Sequence, residues 1–176
     1  MSHADAVGPE PCRLPKVLIT AGLIEATGRL LRQARTGRRR HEGIVYWAGL
    51  GVQQESIVTT CIAPRATTTP GSFRVSFEAN ATVVSALCQL ELVLLAQIHS
   101  HPGSFVDHSC GDDLGAFMPF EGFLSIIVPD FCRRDPWPLT TCGVHQFAAG
   151  AFRRLTNPQI ERTFRVLPSI CDLRET

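Results

Sequence analysis

Four residues of this chain have types and spacings suited to hydrolytic metal chemistry: His99 and His101, then Ser109 and Asp112. If the two histidines sit in a strand, alternate side chains share a face, so both imidazoles can reach one metal ion. A catalytic zinc takes three protein ligands from histidine and carboxylate and keeps a fourth position open for water. Asp112 can supply the third ligand from a loop or helix start that returns the chain to the strand end. Ser109 then remains as a hydroxyl donor near the reacting carbonyl. Asp113 offers a second carboxylate; spacing favours Asp112, and Asp113 would substitute only in a different helix register. Blander readings compete. The two histidines can be a structural pair, and Ser109 with Asp112 can form a capping box, Ser at the N-cap and a carboxylate three residues on. The capping reading is compatible with the metal site.

The elements that must position these groups are legible in outline. Lys16 to Thr20 reads as a short strand, with Thr20 capping a helix from about Ala21 to Arg35 whose Leu23, Ile24, Leu30 and Leu31 form one apolar stripe. Gly37 and the arginines close it. Gly43 to Gly51 and Ser56 to Ala63 read as a hairpin of two strands. Pro64 to Ser72 reads as a loop and Arg74 to Phe77 as a short strand. A second helix starts at Asn80 or Thr82, with Val83, Val84, Leu87 and Cys88 as its apolar positions. Leu94 to His101 is an apolar strand buried on both faces, with the histidines emerging at its end before Pro102. Gly103 to His108 is a loop, Ser109 to Phe117 a short helix, and Gly122 to Val128 a strand. Cys142 to Leu155 holds at least one more strand, where His145 reads as a strand or surface residue. Residues 1–15 read as a flexible lead, and residues 157–176 as an element packed on the domain edge. The expected fold class is α/β, a mixed sheet between helices in a single domain.

Composition narrows the function classes. A chain of 176 residues fits one domain, which at this size buries roughly 70% of its unfolded surface. No run reaches the roughly 18 apolar residues of a membrane span. Met1 to Pro15 carries acidic residues and prolines and does not look like a signal peptide, so a cytoplasmic location is expected. Seven cysteines without a C-x-x-C pair argue against a zinc ribbon and against a secreted disulfide framework. Cys88 reads as packing; Cys110, beside Ser109, reads as an inert small residue or a redox-sensitive group at the site. His108 reads as exposed surface, or as a residue that orients the site or binds substrate. A net charge of +1 gives no bulk drive toward nucleic acid. Arg35, Arg38, Arg39 and Arg40 form a basic cluster, read either as a solvated loop or as a patch that meets an acidic partner surface.

The H-x-H…S-x-x-D spacing resembles the JAMM motif of the JAB/MPN metallopeptidase family, and the element order resembles that domain over roughly residues 16–155. The resemblance implies a JAB/MPN (cytidine-deaminase-like) fold across residues 16–176. It implies one zinc per chain on His99, His101 and Asp112, and an upstream glutamate, a place that Glu42 occupies. A permanent fourth ligand would close the open position, so Glu42 is assigned proton transfer, first to itself from water and then to the leaving amine. Ser109 is assigned the hydrogen bond to the developing oxyanion. Family members hydrolyse isopeptide or peptide bonds at the C-terminus of ubiquitin-like proteins. The implied substrate is therefore an extended tail held by backbone pairing, in a channel lined by Pro64 to Ser72 and by Phe117 to Phe120; core packing is the competing reading for the two phenylalanines. The stretch between His101 and Asp112 is minimal, which suggests a compact prokaryotic-type, deubiquitinase-like member. Expected partners are a ubiquitin-like protein and its conjugates, with activating and conjugating enzymes of the same pathway, and neither nucleic acid nor membrane. Two alternatives stay open: a processing peptidase for a sulfur-carrier protein, and a metal-free MPN scaffold, whose members characteristically lack motif residues that are all present here.

Overall fold

The computed structural model describes residues 16–52, 55–109, 111–112, 117 and 119–168. Residues 1–15, expected as a lead, Cys110, Asp113, Met118 and residues 169–176 of the expected edge element fall outside the described residues, as does most of the helix expected over Ser109 to Phe117, of which Gly111 and Asp112 are seen as helical.

The first described elements are β1 (Lys16–Thr20) and α1 (Ala21–Arg32), followed by two very short strands, β2 (Arg35–Thr36) and β3 (Arg39–Arg40). The long hairpin β4 (Ile44–Val52) and β5 (Glu55–Ile62) comes next, then a second hairpin, β6 (Ala66–Thr69) and β7 (Ser72–Val75). After α2 (Phe77–Gln89) and β8 (Val93–Ser100) come β9 (Leu124–Val128), β10 (Gly143–Ala148) and β11 (Ala151–Arg154). The last described elements are α3 (Asn157–Thr163) and β12 (Phe164–Leu167). Eight strands form one mixed sheet in the order β11-β10-β9-β8-β4-β5-β1-β12. β8 lies at its centre, antiparallel to β4 and parallel to β9.

Strict alternation divides the core between the two sheet faces. Val45 and Trp47 of β4, with Ala96 and Ile98 of β8, face the cluster that takes Ile24 and Leu31 from α1. Ile44, Tyr46 and Ala48 face the opposite cluster with Val83 and Leu87 from α2. α1 starts where expected: Thr20 Oγ1 accepts from Leu23 N–H at 3.3 Å, satisfying an orphan donor of the first turn. Its buried Thr27 accepts from Trp47 Nε1 at 2.8 Å, so the indole N–H is paired inside the core.

Four expectations need correction. α1 ends at Arg32, because the chain turns at Gly37 (φ +57) and pairs Arg35 with Arg40. The expected loop Pro64 to Ser72 is largely strand: Thr67 pairs with Arg74 and Thr68 with Phe73, the threonine run favouring extended backbone. α2 starts at Phe77 rather than at Asn80 or Thr82, because Ser76 Oγ accepts from Ala79 N–H at 3.2 Å. Cys88 lies on the exposed side of that helix, so it does not pack. The β10–β11 hairpin fills the region where at least one strand was expected, and α3 with β12 forms the far sheet edge beside β1. No described helix is long and apolar enough to cross a membrane.

Candidate metal centre and its cleft

The two histidines stand at the end of β8, a central strand of the sheet whose last five residues are buried. His99 pairs with Ile44 on one side and Ile127 on the other, and it is fully buried. His101 follows the strand, tied by its N–H to Val128 O at 2.9 Å and by its carbonyl to Phe131 N–H at 2.7 Å. Asp130, Phe131 and Cys132 all have φ near +54°. Left-handed backbone costs about 1–2 kcal/mol per non-glycine residue, and here it aims successive N–H groups at the carbonyls of His101 and Gly103.

Ser100, between the histidines, points to the other face. Its Oγ accepts from Gly43 N–H at 2.9 Å, and its own N–H donates to Gly43 O at 3.0 Å. Gly43 lies so close to α1 that a Cβ there would sit 2.6 Å from Leu31 O, which makes glycine a requirement. Its neighbour Glu42 is thereby held to β8, and Glu42 N–H also donates to Thr69 O of β6 at 2.9 Å. The Glu42 side chain is buried (5% exposed).

Asp112 comes to the histidines from the loop. Its Oδ1 lies 3.1 Å from His99 Nε2, its Oδ2 3.5 Å from His101 Nε2, and the two Nε2 atoms are 3.1 Å apart. Ligand atoms of all three residues lie within 4.8 Å of one another. Ser109 braces the carboxylate, donating from both N–H and Oγ to Asp112 Oδ2 at 2.8 Å, while Asp112 N–H returns to Ser109 Oγ at 3.3 Å. The capping box and the metal group are therefore one arrangement.

The donor set fits a cation. His101 Nδ1 lies 2.9 Å from Phe105 O; that contact requires the proton on Nδ1 and leaves a lone pair on Nε2. Two imidazole nitrogens and a carboxylate then converge with more lone pairs than protons to share. A four-coordinate ion bound at about 2.0–2.1 Å sets two imidazole nitrogens roughly 3.3 Å apart, close to the spacing seen. Burial alone would raise the Asp112 carboxyl, but the His101 and His99 hydrogen bonds outweigh it and hold it well below the usual carboxylate range. Burial pushes Glu42 the other way, up to about 7; His101 opposes this and the Asp112 charge adds to it. The site thus holds one carboxylate fixed as an anion and one poised near neutrality to take or give a proton.

Glu42, His101, Ser109 and Asp112 line the floor of an open cleft of about 1020 Å³ whose wall is β7 and the start of α2. Phe117 lines it while stacking on Tyr46 at 5.5 Å, so both sequence readings of that residue hold. Phe120 is exposed against Phe123 and is not among the lining residues. Of the expected Pro64–Ser72 lining, Gly71 and Ser72 contribute.

The loop from Pro102 to Ser109 is docked onto β10 and β11 by contacts the sequence did not signal. Arg154 Nη1 donates to Asp107 Oδ1, and His145 Nε2 lies 3.7 Å from the same oxygen. The His108 ring packs on His145 at 4.3 Å and on Phe152 at 4.5 Å, so His108 is not the exposed residue expected. A Cβ on Gly143 would sit 1.7 Å from Val106 O, so the loop backbone lies directly on this glycine.

No protein-family model matches the sequence. The chain is 32% identical over 119 residues to the probable metalloprotease y4jG of Sinorhizobium fredii, a match covering 65% of this chain and 72% of that protein. The chain belongs to the metalloprotease family of that protein. The buried His99, His101 and Asp112 form a group that could hold the metal ion such an activity calls for. The fold also matches the solution structure of protein DSY2949 from Desulfitobacterium hafniense, with a TM-score of 0.64 at 17% identity, over 88% of this chain and 94% of that one.

Proposed function

We propose that this metalloprotease is a zinc peptidase of the JAB/MPN type that cleaves after the C-terminal tail of a ubiquitin-like protein, from conjugates and from precursors. The observation that carries this reading is the convergence of His99, His101 and Asp112 at the floor of a cleft that a buried, near-neutral Glu42 also lines. The H-x-H…S-x-x-D spacing supports the same reading.

When bound by His99, His101 and Asp112, zinc supplies Lewis-acid polarisation and makes water a stronger acid. Glu42 takes the proton from the attacking water and passes it to the leaving amine, a task suited to a carboxyl brought near neutrality by burial. Ser109 N–H can hold Asp112 Oδ2 by itself, which lets the exposed Ser109 hydroxyl turn from that carboxylate into the cleft and donate to the carbonyl oxygen of the scissile bond. β7 runs along the cleft and pairs only with β6 among the described strands, so its outer edge is available to hold an extended tail. Phe73 and Val75, half buried, line the cleft there.

The test uses a ubiquitin-like domain ending in Gly-Gly and fused to a fluorescent reporter. Zinc-loaded protein should release the reporter at the Gly-Gly junction, and chelation should stop it. Glu42→Gln should bind zinc at one equivalent and keep its melting temperature, yet lose turnover by at least about 100-fold. Near-normal cleavage by Glu42→Gln would remove Glu42 from the chemistry. Cleavage of unstructured peptides at many sites, with no preference for the tail, would replace this substrate class by general proteolysis.

A further inference from the structure

We propose that the arginine hairpin β2–β3 is a docking surface for an acidic face on the body of the substrate protein. The inference rests on the proposed reading of the substrate as a folded domain with a tail in the cleft. Residues 35–40 are all exposed. Among the described residues none of Arg35, Arg38, Arg39 and Arg40 has an ion-pair partner, whereas Lys16, Arg32 and Arg154 each have one.

So short a hairpin is unstable by itself, but this one is anchored at its base. His41 N–H donates to Ala34 O at 2.9 Å, and His41 Nδ1 lies 3.0 Å from Thr68 Oγ1 of β6. The next residue is Glu42, so Arg40 Cα lies at most about 7 Å from Glu42 Cα. The hairpin base therefore lies within two residues of Glu42 in the cleft floor, on backbone tied to β6, the strand paired with the cleft wall β7. A folded domain whose tail enters the cleft comes to rest near this backbone.

Like charges packed this closely repel one another, and an acidic surface relieves that repulsion while steering encounter. Arginine forks match carboxylates in a planar, two-point geometry. Phosphates share that geometry, but a nucleic-acid groove needs an extended basic track with stacking aromatics. Residues 35–40 carry no aromatic side chain, and the chain as a whole is nearly neutral at +1. The chemistry favours an acidic protein face.

The test prepares one ubiquitin-fold domain in two versions, with glutamates or with lysines on the surface flanking its Gly-Gly tail. Binding to the Glu42→Gln protein is read by fluorescence anisotropy in chelator, so it is independent of cleavage. The acidic version should bind at least about tenfold tighter, with the advantage shrinking as salt rises. Replacing Arg35, Arg38, Arg39 and Arg40 together by glutamine should abolish the advantage, and replacement by lysine should largely keep it, with equal melting temperatures. Equal binding of the two versions, or an advantage surviving the glutamine replacement, overturns the proposal, as does tighter binding of a single-stranded oligonucleotide. If neither version is cleaved by zinc-loaded protein but the acidic one still docks through the arginines, the surface stands and the peptidase specificity fails.

Discussion

The Nδ1 of His101 lies 2.9 Å from the carbonyl oxygen of Phe105, four residues further along the loop. This contact fixes the tautomer that turns a Nε2 lone pair toward His99 and Asp112. Metal binding therefore depends on loop backbone as well as on three side chains. The double variant His99→Ala, His101→Ala should carry no bound zinc by elemental analysis, whereas Phe105→Ala, which keeps the carbonyl, should carry one equivalent. Unchanged zinc in the double variant would place the metal elsewhere.

Ser109 both braces Asp112 and faces the cleft, and two substitutions separate these roles. Ser109→Ala removes the Oγ contact to Asp112 at 2.8 Å; zinc affinity should fall about 10- to 100-fold. Turnover at saturating zinc should fall about 100- to 1000-fold if the hydroxyl also meets the oxyanion. Ser109→Asn should keep the cap and the melting temperature without restoring the rate. Full turnover by the asparagine variant would leave Ser109 as a brace for Asp112.

Gly143→Ala tests the docking of the loop on β10. A methyl group 1.7 Å from Val106 O forces the backbone apart, and such overpacking costs about 1–3 kcal/mol. The movement passes to Phe105 and Asp107, so zinc affinity should fall as well. Gly49→Ala, which meets Ile57 O at 1.8 Å far from the loop, should lower the melting temperature while leaving zinc affinity intact. Equal zinc loss in both would reduce the effect to general destabilisation.

His145 sets an acid limit on stability. Burial lowers its pKa from 6.5 to about 4, with the His108 charge adding to this and Asp107 opposing it. The unfolded chain therefore takes up a proton near pH 6.5 and the folded one only near pH 4. Between these values the unfolded state binds more protons, and stability falls as pH falls. The loss is at most about 3 kcal/mol. In urea titrations at pH 7 and pH 4.5, His145→Gln should show a smaller acid loss than wild type. An identical loss in both proteins would assign the acid sensitivity to other groups.

The site was legible because its residues are close in sequence and sit on a strand whose apolar run announces burial. His99, His101, Ser109 and Asp112 meet as their spacing suggests, and Glu42 joins them through Gly43 and Ser100. What sequence concealed is contact between distant segments. Asp107 and Arg154 are too far apart in the chain for spacing to pair them, and His108 packs inward because β11 brings Phe152 over it. Pro70 and Gly71 read as marks of a long loop, yet they mark only the turn of the β6–β7 hairpin. Ser76 does not stand out as a helix cap, because the apolar periodicity of α2 starts later than its hydrogen bonds do.

The metal ligands are divided between two parts of unequal rigidity: two histidines at the end of the central strand and one aspartate on a loop eleven residues later. The histidine pair is built by the sheet. The loop is held through Asp107, His108 and Val106 against β10 and β11, and a cation shared by the three ligands would tighten the tie that Asp112 already makes to the histidines. Fold stability and metal affinity can therefore drift independently in evolution, the first through β8 and its neighbours, the second through residues 102–112. In hydrogen exchange, demetallation should release amides of the loop and leave those of β8 as slow as before.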